Sequence, residues 1–314
     1  MPPRATPIPY LRSESAIAAL HSQLSAFNRE RLTPRLPSTE PHTMHATLRA
    51  EDELRLTEHA FVEQERACVK ARAAVAPRSP EAFVAWFEAL KQDGPGQNDP
   101  LFPWLASYAS RSQMIWFLQQ EAAGEAGFDD LVALTQVKLD SRVKLELARN
   151  YWDEMGCGHA GGMHGPMLQR LCDHLAIDLG APVVWESLAL GNLMVALACD
   201  RSYAYQSLGA LGVIELTAPG RAARVNSGLL RLGVPGQARR YFALHATLDV
   251  KHSAAWNREV IAPLVAERPE LAPAIAEGAL MRLNAGARCF DRYRRVLGFG
   301  VSSSSQAHEA LLDR

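Results

Sequence analysis

The chain is poor in features that commit a protein to a partner or compartment. Among 314 residues there are five cysteines (Cys68, Cys157, Cys172, Cys199 and Cys289), an odd and scattered set with no Cys-x-x-Cys pair. This excludes a disulfide framework or zinc ribbon and reads as reduced thiols, mostly buried. A chain this long buries a full core without such staples. Neither sign of charge is in excess, with 33 Lys and Arg against 34 Asp and Glu. No general attraction to nucleic acid follows. No apolar run reaches the about 18 residues of a membrane span. The nearest, Leu188–Cys199, is broken by Asn192 and closed by Asp200. The opening MPPRATPIPY has no apolar signal-peptide core. The expectation is a cytoplasmic protein with a small-molecule substrate, and with neither nucleic acid nor membrane as partner.

Familiar catalytic signatures are missing too. There is no His-Glu-x-x-His of a metalloprotease, no Glu-x-x-His of a ferritin-type bundle and no phosphate-binding GxxxxGK[ST]. The pattern GxGxxG occurs once, at Gly156–Gly161, but it follows a helical stretch rather than a strand, so the dinucleotide-binding context is absent. No nucleophile elbow accompanies a serine.

Helical periodicity is what remains. Valine, isoleucine and threonine do not alternate with polar residues, and no strand is expected. Residues 1–12 are proline-rich and read as an extended arm. Ser13 caps a helix through about Arg31, and the prolines at 34, 37 and 41 stop it. A second helix is expected from His45 to Val75, and a third opens at Ser79-Pro80-Glu81 and runs to Lys91. Residues 93–103 read as a loop. Further helices are expected over 112–138, 141–154, 163–177, 182–200, 203–217, 222–231, 237–265 and 272–297, with a mobile tail over 301–314. The organisation is an N-terminal arm and helical extension packing on the core (1–80), one all-α domain (81–300) and the tail.

The sharpest local pattern is His245-x3-Asp249-x2-His252. Offsets of four and seven residues place the three side chains within roughly 60° on one helix face. Two imidazoles and a carboxylate there suit iron, manganese or zinc, or else form a solvated polar face. Glu154 precedes His164 by ten positions across a glycine-rich break, where sharp backbone turns can aim both at one point. The plain reading of the same segment is a helix end with Glu154 exposed. Glu215 interrupts an apolar run. Buried, it must be paired, protonated or metal-bound; the plain alternative is an exposed helix edge beside a turn at Pro219-Gly220. Together these are three carboxylates and three histidines, an inventory that suits two carboxylate-bridged metals better than one zinc.

With these six positions the sequence resembles the haem-oxygenase-like di-metal oxidases and oxygenases, the iron-containing redox enzymes. Their signature is Glu-x9-His, a carboxylate about 30 residues before the last motif, then His-x3-Asp-x2-His. Here Glu154 and His164, Glu215, and His245, Asp249 and His252 match it in type and order over roughly residues 110–265. The resemblance implies a haem-oxygenase-like helical bundle with an N-terminal helical extension. It also implies a centre of two Fe(II) ions, with manganese the alternative metal, and dioxygen as co-substrate. The implied activity is oxidation of an amino-acid, amine or fatty-acid-like substrate, without a separate acid or base. An external electron donor and a homodimer are further partners it allows. Some relatives add a carboxylate from the preceding core helix, which points to Glu125 or Glu121, with Glu125 on the better-matched face. His159 is a weaker alternative ligand. Helices around 188–199 and 203–214 would supply an apolar pocket lining. Other readings are a haem-binding protein, with His21 or His45 as the haem ligand, a metal-independent member of the fold, and a non-enzymatic metal-binding protein.

Overall fold

A computed structural model describes residues 13–36, 41–125 and 127–298, with the backbone alone for residues 41–44. The arm over 1–12 and the tail over 301–314 lie outside the described residues. Among the described residues all regular structure is helical. The helices are α1 (Glu14–Leu32), α2 (Pro41–Ala74), α3 (Pro80–Asp93), α4 (Leu101–Ser107), α5 (Arg111–Gly124), α6 (Phe128–Thr135), α7 (Ser141–Glu154), α8 (His164–Leu175), α9 (Trp185–Cys199), α10 (Ala204–Arg231), α11 (Arg240–Trp256), α12 (Ala262–Glu267) and α13 (Ala272–Val296).

Local signals set the helix starts. The Ser13 hydroxyl accepts from the Ala16 N–H, and Ser79 does the same for Ala82 with Pro80 in the first turn. Ser110 and Gln113 form a reciprocal capping box. The α9 helix is apolar on every side, and nearly all of its residues from Glu186 to Ala198 are buried. A helix without a polar face belongs at the centre, and α1, α2, α5, α6, α10 and α13 all pack on α9. Leu24 of α1 and Val62, Val69 and Ala73 of α2 are buried in the same cluster as the residues of α9, α10 and α13. Arg31 and Glu58 join α1 to α2 through two hydrogen bonds of 3.0 and 2.6 Å.

Two glycines bring α10 and α13 into backbone contact. A Cβ on Gly278 would lie 1.7 Å from the Gln206 carbonyl oxygen, and one on Gly209 would lie 1.9 Å from that of Ile275. No other residue fits at either point.

The structure departs from the sequence expectations at four helices and in the cysteines. The helix expected over 112–138 is two, because Gly127 adopts a left-handed φ of 71° and ends the run after Gly124. The two helices expected over 203–231 are one, with Pro219 inside it. Proline removes one backbone donor, but burial on both flanks outweighs that local cost. The long helix expected over 237–265 contains a π turn at Asn257–Ile261, and α4 occupies part of the expected loop. Of the cysteines only Cys172 and Cys289 are buried; Cys68 and Cys157 are exposed and Cys199 is half-buried.

Candidate metal centre

Glu154 is the last residue of α7 and His164 the first of α8. The chain between them turns through consecutive left-handed residues, Gly156, Cys157 and Gly158. It folds back so closely that a Cβ on Gly156 would lie 2.3 Å from the Gly162 carbonyl carbon. The hairpin returns His164 Nδ1 to 2.6 Å from Glu154 Oε2. That nitrogen makes no aligned hydrogen bond. A lone pair facing a carboxylate oxygen across a short gap is an arrangement a cation completes.

Glu215 is 2 % exposed in the middle of α10, four residues before Pro219. Its Oε1 accepts from Asn150 Nδ2 at 2.6 Å, and its Oε2 lies 3.4 Å from His252 Nδ1. From α11, His245 Nδ1 donates to the Tyr241 carbonyl at 2.7 Å, and its ring meets that of His164 edge-on at 4.6 Å between centroids. His252 Nε2 pairs with Asp153 Oδ2 at 3.1 Å.

Five of the six expected residues thus fall into two overlapping groups, Glu154 with His164 and His245, and Glu154 with Glu215 and His252. Within each group the candidate ligand atoms lie no more than 4.8 Å apart. Glu154 is common to both. Asp249, the sixth, is buried and lines the same cavity as Glu154, Glu215 and His245, with Oδ1 unpartnered. His159 is exposed. His45 is exposed, and the His21 ring packs against Phe61 and Trp185 at 4.8 and 5.6 Å, apart from these groups.

The electrostatics are those of an anionic site short of a cation. Burial and the neighbouring Glu215 charge push the Glu154 carboxyl up to about 9, and the same two causes raise Asp249. Burial lowers His164 and His245 to about 4, so both rings are neutral donors. Burial opposes a charge on His252 as well, but the Glu215 and Asp153 carboxylates outweigh it and raise that ring to about 9. Three crowded carboxyl groups beside the neutral imidazoles of His164 and His245 fit a multivalent metal.

A cavity of about 130 Å³ adjoins the group. Its lining differs from the expected apolar one. Met194 and Ile214 come from the helices named for that role, but Glu121, Glu125, Arg221, Tyr241 and Arg282 also face it. Glu125, at the break between α5 and α6, is raised to about 7 by burial and by the Glu154 charge. Burial raises the Glu121 carboxyl as well, against the opposing charges of Arg221 and Arg282.

Sequence reasoning missed Asn150, Asp153, Tyr241, Arg221 and Arg282. Two of these carried a signal, since Asn150 is one helical turn before Glu154 and Tyr241 one turn before His245. The others had none, because their place depends on how α7, α10, α11 and α13 pack.

No curated protein matches the sequence. Among solved structures the chain is similar to a domain of unknown function with a heme oxygenase-like fold from Shewanella denitrificans OS217. The TM-score is 0.51 at 17% identity, covering 72% of this chain and 94% of that one, a likeness of fold alone. The pattern of the iron-containing redox enzymes matches residues 115–287, more than half of the chain and including all six candidate ligands. The chain belongs to the family of iron-containing redox enzymes.

Proposed function

We propose that the protein is a non-haem di-iron oxidase or oxygenase that uses dioxygen to oxidise a small organic substrate. The observation that carries this reading is the shared position of Glu154 in both ligand groups. One carboxylate common to two donor sets is how two ions are held side by side. Glu154, His164 and His245 would hold one ion, Glu154, Glu215 and His252 the other, with Asp249 completing the set from the cavity wall. Bound iron supplies the electrons that activate dioxygen.

The protein's own residues prepare the ligands. The Tyr241 carbonyl takes the proton of His245 Nδ1 and leaves Nε2 as the donor atom, while Asp153 anchors His252 through Nε2 and leaves Nδ1 towards Glu215. Asn150 orients Glu215 through Oε1. Of the two additional carboxylates, we assign Glu125 to the centre, since the Glu154 charge acts most strongly on it whereas Arg221 and Arg282 act most strongly on Glu121. A carboxyl tuned to about 7 can hold or release a proton beside the cavity near neutral pH.

Anaerobic titration with Fe(II), followed by mixing with oxygen, tests the reading. Uptake of about two ions per chain, lost in Glu154→Gln, and a transient visible absorption on mixing are expected. Uptake of no more than trace iron or manganese, or a Soret band on adding haem, would overturn it.

A further inference from the structure

A larger cavity, of about 750 Å³, lies between α1, α5, α8 and α9. That volume falls within the roughly 300–1,000 Å³ of small-molecule sites. Small residues keep it open where the helices approach, Ala122 and Ala123 on α5, Gly165 on α8 and Gly191 on α9. A Cβ on Gly165 would meet nothing within 4 Å. Leu168, Leu188 and Val195 give the cleft an apolar wall, and its two charged lining residues, Arg29 and Glu125, are opposite in sign. A lining with no excess of either sign draws in neither anions nor cations. Glu125 also lines the cavity beside the metal ligands.

The polar part of the lining has a definite hydrogen-bonding character. Four side-chain amides belong to it, those of Asn28, Gln119, Gln169 and Asn192, and each turns its nitrogen to a protein acceptor. Asn192 Nδ2 donates to the His21 carbonyl at 2.9 Å, Gln119 Nε2 to the Pro182 carbonyl at 3.4 Å and Gln169 Nε2 to Asp173 Oδ1 at 2.7 Å. Carbonyls and carboxylates only accept, so these three amides have a fixed orientation. Asn192 therefore presents its Oδ1 to Asn28, which donates through Nδ2 at 2.9 Å. The oxygens of Asn28, Gln119 and Gln169 are left as acceptors. That of Asn28 is buried, and among the described residues it has no partner. An acceptor left unsatisfied out of water carries a free-energy cost that a donor on a bound molecule can offset.

We propose that this cleft is a binding site for an uncharged organic molecule with O–H or N–H donors on an apolar body. The donors meet the oxygens of Asn28, Gln119 and Gln169, and the body packs on the wall of Leu168, Leu188 and Val195. The inference goes beyond the di-iron reading and does not depend on it, since none of the six candidate metal ligands lines the cleft. Bisphenol A, which is uncharged at neutral pH and carries a phenolic donor at each end of an apolar body, is a suitable probe.

Calorimetry measures binding of bisphenol A, its dimethyl ether and its anionic analogue diphenolic acid to the full chain, with and without anaerobic Fe(II) loading. Iron stoichiometry is determined on the same samples. Bisphenol A is expected to bind about 10-fold or more tighter than either comparison compound, whether or not iron is present. Gly165→Phe places a ring in the open space of the cleft and should weaken bisphenol A by about 10-fold or more. Asn28→Leu should remove most of the preference over the ether, but it also takes a partner from Asn192. Gln119→Met and Gln169→Met, which keep the side-chain length and leave that pair intact, should each reduce the preference about 3-fold and decide the matter if Asn28→Leu does not fold. No binding of bisphenol A, equal binding of its ether, tighter binding of diphenolic acid, or binding that Gly165→Phe leaves unchanged overturns the proposal, whatever the iron content. Selective binding that these variants weaken, in protein that takes up no iron, sustains the cleft and removes the di-iron reading.

Discussion

The Nδ1 atom of His245 lies 2.7 Å from the backbone carbonyl oxygen of Tyr241, one helical turn earlier. A carbonyl only accepts, so Nδ1 carries the proton and Nε2 keeps its lone pair. A residue outside the candidate ligand set thus decides which ring nitrogen His245 offers beside Glu154 and His164. His245→Gln should lower iron uptake by about one ion per chain, with the fold retained by circular dichroism. Unchanged stoichiometry in an anaerobic titration would count against His245 as a ligand.

Asn150 donates to Glu215 Oε1 at 2.6 Å within the buried site. It touches no metal in the proposed arrangement, yet it sets the orientation of a ligand. Asn150→Ala is expected to weaken Fe(II) binding by about 10- to 100-fold. Competition with a coloured chelator measures this, and an unchanged affinity would show that Glu215 needs no such support.

Gly278 on α13 leaves no room for a side chain against the Gln206 carbonyl of α10. Gly278→Ala should force the two helices apart and cost about 2 kcal/mol or more, read from the urea midpoint. Because α10 carries Glu215 and Arg221, and α13 carries Arg282, iron affinity should fall in the same variant. Wild-type stability and affinity together would mean that the helices adjust without displacing the site.

His21 is buried between Phe61 and Trp185, and burial with the Arg288 charge lowers it to about 4. The unfolded chain takes up this proton near 6.5 and the folded one only near 4, so between those values the unfolded state binds more protons. Stability is expected to fall as pH drops through that window, by up to about 3 kcal/mol, and to be flat with respect to this group above it. Denaturation of wild type and His21→Gln across pH 4–7 isolates the contribution, since only the wild type carries this part of the slope. Parallel curves would mean that the His21 ring is protonated in the folded protein.

The fold class was legible because helical periodicity, serine caps and the absence of alternating apolar segments all act locally. Ser13 and Ser79 start helices where their sequences imply. Boundaries failed where a local rule met a tertiary one. Pro219 reads as a stop, yet α10 runs through it because its buried faces pack on α9, α11 and α13. The helix over 112–138 reads as continuous, yet it breaks at Gly127 and leaves Glu125 beside the cavity.

Residue types and their spacing alone determined that this is a helical protein with six metal-type side chains, since helical offsets of four and seven put His245, Asp249 and His252 on one face whatever surrounds them. Only the tertiary structure decided that Glu154 belongs to both candidate ligand groups, because that depends on the Gly156–Gly162 hairpin turning α8 back upon α7. It also decided that Arg221 and Arg282 meet in one cavity. Their helices lie far apart in sequence, and the contact rests on two glycines thin enough to bring backbones together. Such proximity has no local signature, because it is a property of two surfaces and not of either segment.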